Sequence, residues 1–129
     1  MDPTRTAPLA LAERRLAWLD ARQRVLAENI AHADTPGYRP KDLTDFAALL
    51  RGRGAVDLAR TQPAHLASPG GTPKSLKDRF ATETSPNGNG VSLDREAMKI
   101  AETDTAHALA TRLHKSWLGM FGSVLGMGN

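Results

Sequence analysis

The chain has no cysteine among its 129 residues. That excludes disulfides, thiolate zinc sites and cysteine nucleophiles. Large rings are scarce: Trp18, Tyr38, Phe46, Phe80, Trp117 and Phe121 make up 5% of the sequence. A single compact core usually leans on more of them, because each buries so much area. No run of about 18 apolar residues occurs, so no segment reads as a membrane span. Met1–Leu11 also lacks the hydrophobic stretch of a cleaved secretory signal. A dominant charge sign is missing too. Seventeen basic and fourteen acidic residues leave +3, diluted along the chain and without the interleaved aromatics of a base-stacking surface, so no nucleic-acid partner is expected.

What is present is an uneven distribution of helix breakers. Apolar residues at 40% and charged residues at 24% are ordinary for a folded chain. Of 11 glycines and 8 prolines, thirteen fall between Ala33 and Ser92, and none falls in Leu9–His32 or Leu93–Leu118. The chain divides accordingly into an N-terminal helical part (1–34), an irregular middle (35–91) and a C-terminal helical part (92–129).

Leu9–His32 reads as one helix, with Thr6 as a cap, Pro8 in the first turn and Pro36-Gly37 enforcing the stop. Its third-and-fourth spacing runs through Leu9, Ala12, Leu16, Leu19, Gln23, Leu26 and Ile30, an a/d seam with one polar break. At 1.5 Å per residue it spans about 36 Å, and so long a helix with so narrow a stripe calls for a partner helix. The second helix starts at Leu93 behind Ser92. Acidic residues fill its first half (Asp94, Glu96, Glu102, Asp104) and basic ones its second (Arg112, Lys115), as the helix dipole favours. Its apolar stripe passes through Met98, Leu109, Leu113 and Trp117. Beyond Leu118, Gly119, Gly122 and Gly126 read either as a frayed tail or as a small-residue face for close approach of another helix.

In the middle, Thr44–Arg51 suits a short helix ended by Gly52. Ala55–Arg60 and Arg79–Thr84 are weak strand candidates, with a flexible loop at about 67–78 and turns at Ser68–Pro73 and Ser85–Gly90. Few bulky apolar residues lie between Gly52 and Val91, so this part builds little core alone. Enzyme chemistry finds no foothold. Glu28 with His32, and Asp104 with His107 and His114, share helical faces without forming a recognised ligand set. Asp42 and Asp45 make no credible acid/base pair, and no nucleophile elbow occurs. No catalytic residue, metal site or cofactor is expected.

One stretch is specific. Glu28-Asn29-Ile30-Ala31-His32-Ala33-Asp34-Thr35-Pro36-Gly37-Tyr38 resembles the N-terminal signature of bacterial flagellar basal-body rod proteins, and its Asp34-Thr35-Pro36-Gly37-Tyr38 ending resembles the FlgB type. Asn29 and Asp34 are short polar groups at a helix end, suited to bonding exposed backbone. Thr35-Pro36-Gly37 turns the chain out, and Tyr38 offers a ring to pack back and a hydroxyl to anchor. Asp42–Leu50, Thr61–Leu66 and Asn89–Glu102 are similar to the same family, in the same order. His32, Thr103 and His107 depart from the residues usual there.

The resemblance implies a mainly α protein whose N- and C-terminal helices pair as an α-helical coiled coil, with an irregular middle holding short helix and β-hairpin elements. It implies a structural subunit of the proximal rod, in the periplasm, exported through the flagellar type III apparatus without a cleaved signal. Implied partners are rod proteins of the FlgC and FlgF types, a FliE-type adaptor, the MS-ring and further copies of itself. The alternatives are a rod protein of the FlgC type or a soluble helical adaptor.

Overall fold

The computed structural model describes residues 7–57, 74–79, 81 and 83–126, with residues 52–57 described by backbone alone. In chain order these form α1 (Ala7–Ala31), β1 (Lys41–Leu43), α2 (Phe46–Asp57), β2 (Ser75–Lys77) and α3 (Leu93–Val124). The architecture is mainly helical, with one two-stranded sheet. The Thr6 cap, the Thr61–Leu66 stretch and the Ser68–Pro73 turn lie outside the described residues.

The two long helices pack antiparallel. Glu13 meets His114, Asp20 meets His107, Gln23 meets Asp104 and Asn29 meets Glu96, so rising numbers on α1 oppose falling numbers on α3. Leu9, Leu19 and Leu26 of α1 are fully buried, with Trp18 nearly so. Leu16 is half-buried against the cluster formed by Trp18, Leu19 and Ala110, where Leu43, Phe46, Leu49 and Ala106 also pack. Ile30 is exposed. The core is thus small and assembled mainly by α1.

On α3 the expected stripe is turned away. Met98, Leu109 and Leu113 are 65, 60 and 53% exposed, and Trp117 is exposed as well. The buried positions are Glu96, Thr103 and Ala110, seven residues apart. Small or hydrogen-bonded residues fill the inward face, letting α1 approach closely. The sequence shows where apolar residues line up but not whether this chain or something else covers them.

Several expectations for the middle are corrected. α2 runs through Gly52 and Gly54 to Asp57. A helical glycine costs about 1 kcal/mol and does not forbid the helix as proline would, and the next proline is Pro63. Ala55–Asp57 are therefore helical, while 58–60 lie outside the described residues. The strands are Lys41–Leu43 and Ser75–Lys77, paired with Lys41 opposite Lys77 and Leu43 opposite Ser75. Part of the expected loop at 67–78 is therefore ladder, and the described residues of 79–84 hold no strand. Three-residue strands give too little alternation to be read before their partner is known.

Ser92 stands at the α3 N-terminus in an extended conformation, without a side-chain capping bond. At the other end Gly126, at φ +68°, follows the last turn and takes the left-handed position that stops helices. A Cβ on Gly119 or Gly122 would meet open space, so no described helix approaches them closely.

Candidate functional site

The signature stretch closes on itself around two buried asparagines. Asn29, in the last turns of α1, is fully buried. Its Nδ2 donates to the Lys41 carbonyl at 2.7 Å and to the Glu96 carboxylate at 2.9 Å. Its Oδ1 accepts from the Lys41 N–H at 2.9 Å and from the Tyr38 hydroxyl at 3.2 Å. All four hydrogen-bonding positions of one amide are used, and they join α1, β1 and α3. The Tyr38 ring stacks on His32 with centroids 4.5 Å apart, and the His32 Nδ1 lies 3.1 Å from the Thr35 hydroxyl. Burial, then the carboxylates of Glu28 and Glu96, push the Tyr38 hydroxyl above the usual tyrosine range.

Asn89 is the second node, from a residue outside the expected site. Its Nδ2 donates to the carbonyls of His32 and Thr35, at 2.8 and 2.6 Å, satisfying backbone acceptors where α1 ends. Its Oδ1 accepts from the Val91 N–H at 2.8 Å. Asp34, Thr35, Pro36 and Gly37 are exposed around this node, and it is Asn89 rather than Asp34 that reaches the backbone. The turn runs through Gly37 at φ +70°, whose N–H donates to the Asn87 carbonyl at 3.1 Å. Gly88, at φ +80°, lies against the Gly37 backbone. Gly37→Ala is expected to cost about 1 kcal/mol in denaturant unfolding, from backbone strain alone, because a Cβ there meets nothing within 4 Å.

A charged cluster extends the same junction. Arg22 of α1 forks onto Asp42 with two 3.0 Å bonds. Lys99 of α3 lies 2.6 Å from Asp78, 3.4 Å from Glu96 and 3.7 Å from Asp42. Burial is the largest single influence on Lys99 and lowers its pKa. The Asp78 hydrogen bond and the fields of Glu96, Asp78 and Asp42 together outweigh it, leaving the ammonium above the usual lysine range. For Arg22 the Asp42 bond dominates and raises it further. Trp18 completes the α1–β1 contact by donating from Nε1 to the Thr44 carbonyl at 3.0 Å. Its ring lies 6.0 Å from Phe46, with the Arg15 guanidinium over both.

Most of the predicted residues fall into three groups, while Ile30, Asp34, Thr35, Pro36 and Gly37 are exposed around the junction. Asn29 and Tyr38 meet in the buried node, and Leu9, Leu16, Leu19 and Leu26 line the α1 side of the core. Met98, Leu109, Leu113 and Trp117 form an exposed apolar face. Reading the sequence missed Asn89, Glu96, Lys99, Asp78 and the Arg22–Asp42 pair. The one available signal was the placing of Glu96 and Lys99 three apart within a helix.

His107 and His114 are held in helix-to-helix contacts, 3.2 Å from Asp20 and 3.8 Å from Glu13. Among the described residues no group of three histidines or carboxylates is placed to hold a metal ion. No described helix is long and apolar enough to cross a membrane.

No family model matches the chain, but curated relatives do. It is 35% identical over 117 residues to the flagellar basal body rod protein FlgB of Agrobacterium fabrum, covering 83% of this chain and 84% of that one. It is 35% identical to the FlgB of Escherichia coli K12 and 33% identical to that of Salmonella typhimurium LT2. Both alignments span 133 positions and cover 95% of this chain and 96% of the relative. With likeness of that extent along nearly the whole length, the chain belongs to the FlgB family of flagellar basal body rod proteins.

Proposed function

We propose that the chain is a structural subunit that polymerises in the proximal rod of the flagellar basal body. There it transmits motor torque, is needed for flagellum assembly and motility, and carries out no catalysis. The observation that supports this best is the unpartnered apolar face of α3, where Met98, Leu109, Leu113, Met120 and Val124 are all more than half exposed. A contiguous apolar face of this kind marks a surface made to be covered. The internal core is small, so neighbouring subunits supply the missing burial, and the long helices contribute to an α-helical coiled coil only in the assembled rod.

In this reading the helical parts 1–34 and 92–129 form the inner layer and 35–91 faces outward. The neighbours are FlgC- and FlgF-type rod proteins, a FliE-type adaptor, the MS-ring and further copies. The subunit reaches the periplasm through the type III apparatus without signal cleavage. The rod role is tested in a deletion strain, which is expected to be non-motile and to stop at the rod stage. Complementation with Leu109→Asp/Leu113→Asp is expected to leave it non-motile, while the purified variant unfolds within about 0.5 kcal/mol of the parent. Normal swimming of that strain would show that the α3 face is not an assembly surface.

A further inference from the structure

The β1–β2 ribbon carries like charges in register. Lys41 is opposite Lys77, and the Asp78 N–H donates to the Pro40 carbonyl at 2.9 Å, with Arg39 and Arg79 flanking that end of the ribbon and Arg79 in a turn. Alternation along the strands places Lys41 and Lys77 on the face opposite Asp42. Lys41 has Glu28 at 3.6 Å. Among the described residues Arg39, Lys77 and Arg79 have no ion pair, and all three are exposed. Like charges facing across a ladder oppose pairing, so the ribbon is a poor choice for stability alone.

The far flank of the helix pair carries exposed carboxylates, with exposed Arg24 one turn beyond Asp20. Trp18 and Arg22 face β1, and Asp20 stands two residues from each, roughly 160–200° round the helix at 100° per residue. Glu13, seven residues earlier, shares its side. The Asp20 and Glu13 carboxylates are more than half exposed, and exposed Asp104 joins them from α3. We infer that the cationic ribbon, Lys41 and Lys77 with Arg39 and Arg79 at its end, docks on the Glu13–Asp20–Asp104 flank of a second copy of this chain. The two surfaces lie on opposite sides of one molecule, so the contact is head-to-tail and propagates. This rests on the rod reading and names a surface and a neighbour for it.

The experiment is a charge exchange on the full chain, followed by sedimentation velocity over a salt series. Wild-type self-association is expected and should weaken as salt screens it. Lys77→Glu/Arg79→Glu and Glu13→Lys/Asp20→Lys should each lower the association constant about tenfold or more. An equimolar mixture of the two variants should recover association, because each reversed face then meets its complement, and recovery also shows that both are folded. A wild-type chain that stays monomeric, association indifferent to salt, or a mixture that does not recover overturns the contact. So does ribbon-dependent binding to anionic vesicles or to single-stranded DNA that survives reversal of the acidic flank in place of self-association. None of these results touches the deletion-strain phenotype, which tests the rod reading separately.

Discussion

Asn29→Ala is expected to lose about 3 kcal/mol of unfolding free energy, measured by urea denaturation. The substitution removes one amide but strands several partners. The Lys41 N–H and carbonyl lose their bonds at 2.9 and 2.7 Å, and Glu96 loses the 2.9 Å donor that supports a buried carboxylate. A buried polar group left unsatisfied costs about 1–3 kcal/mol, more when it is charged. Asn29→Asp separates shape from hydrogen bonding. It keeps the acceptor for Lys41 and Tyr38, but it cannot donate to the Lys41 carbonyl and sets a second carboxylate beside Glu96. It should therefore be at least as damaging at neutral pH despite its near-identical size. Tyr38→Phe removes only the 3.2 Å bond and should cost about 1 kcal/mol. If Asn29→Asp proved neutral, Asn29 could not be the donor that joins the helices.

Lys99→Met is the second large effect, a loss of about 3 kcal/mol. The methionine keeps most of the stem volume, so the change isolates the charge. Asp42, Asp78 and Glu96 would then lose the cation they share, and the Asp78 and Glu96 side chains are buried. Breaking a buried ionic cluster from one side leaves uncompensated charge where water cannot reach it.

The same group produces a pH dependence of definite sign. The folded Lys99 pKa lies above the ordinary 10.5, so its contribution is complete below that value and disappears as pH rises through the folded pKa. Tyr38, raised above 10.0, acts in the same direction. The unfolding free energy of the parent is expected to fall on the alkaline side of pH 10–10.5, and less steeply in Lys99→Met. Equal alkaline slopes would remove Lys99 from that role.

Much of the fold is legible because breakers act locally. Pro36-Gly37 ends α1 whatever it packs against, since proline has no N–H to continue the ladder and Gly37 accepts a positive φ. The absence of Gly and Pro from Leu9–His32 and Leu93–Leu118 leaves two long helices, and both form. Gly52 misleads for the complementary reason: a glycine penalty is small enough for neighbouring residues to outweigh.

The sequence by itself determined the two helices, the turn between Asp34 and Tyr38 and the shortage of core-forming residues, because backbone preference and composition are properties of short stretches. Only the tertiary structure decided which face of α3 points inward. Periodicity nominates the apolar side, yet α1 and β1 place Asn29 and Asp42 against α3, and those groups call for Glu96 and Lys99. Their complementarity spans up to 67 residues of chain, a distance at which no local pattern carries information. The apolar face is consequently left outside, free for contact with other chains.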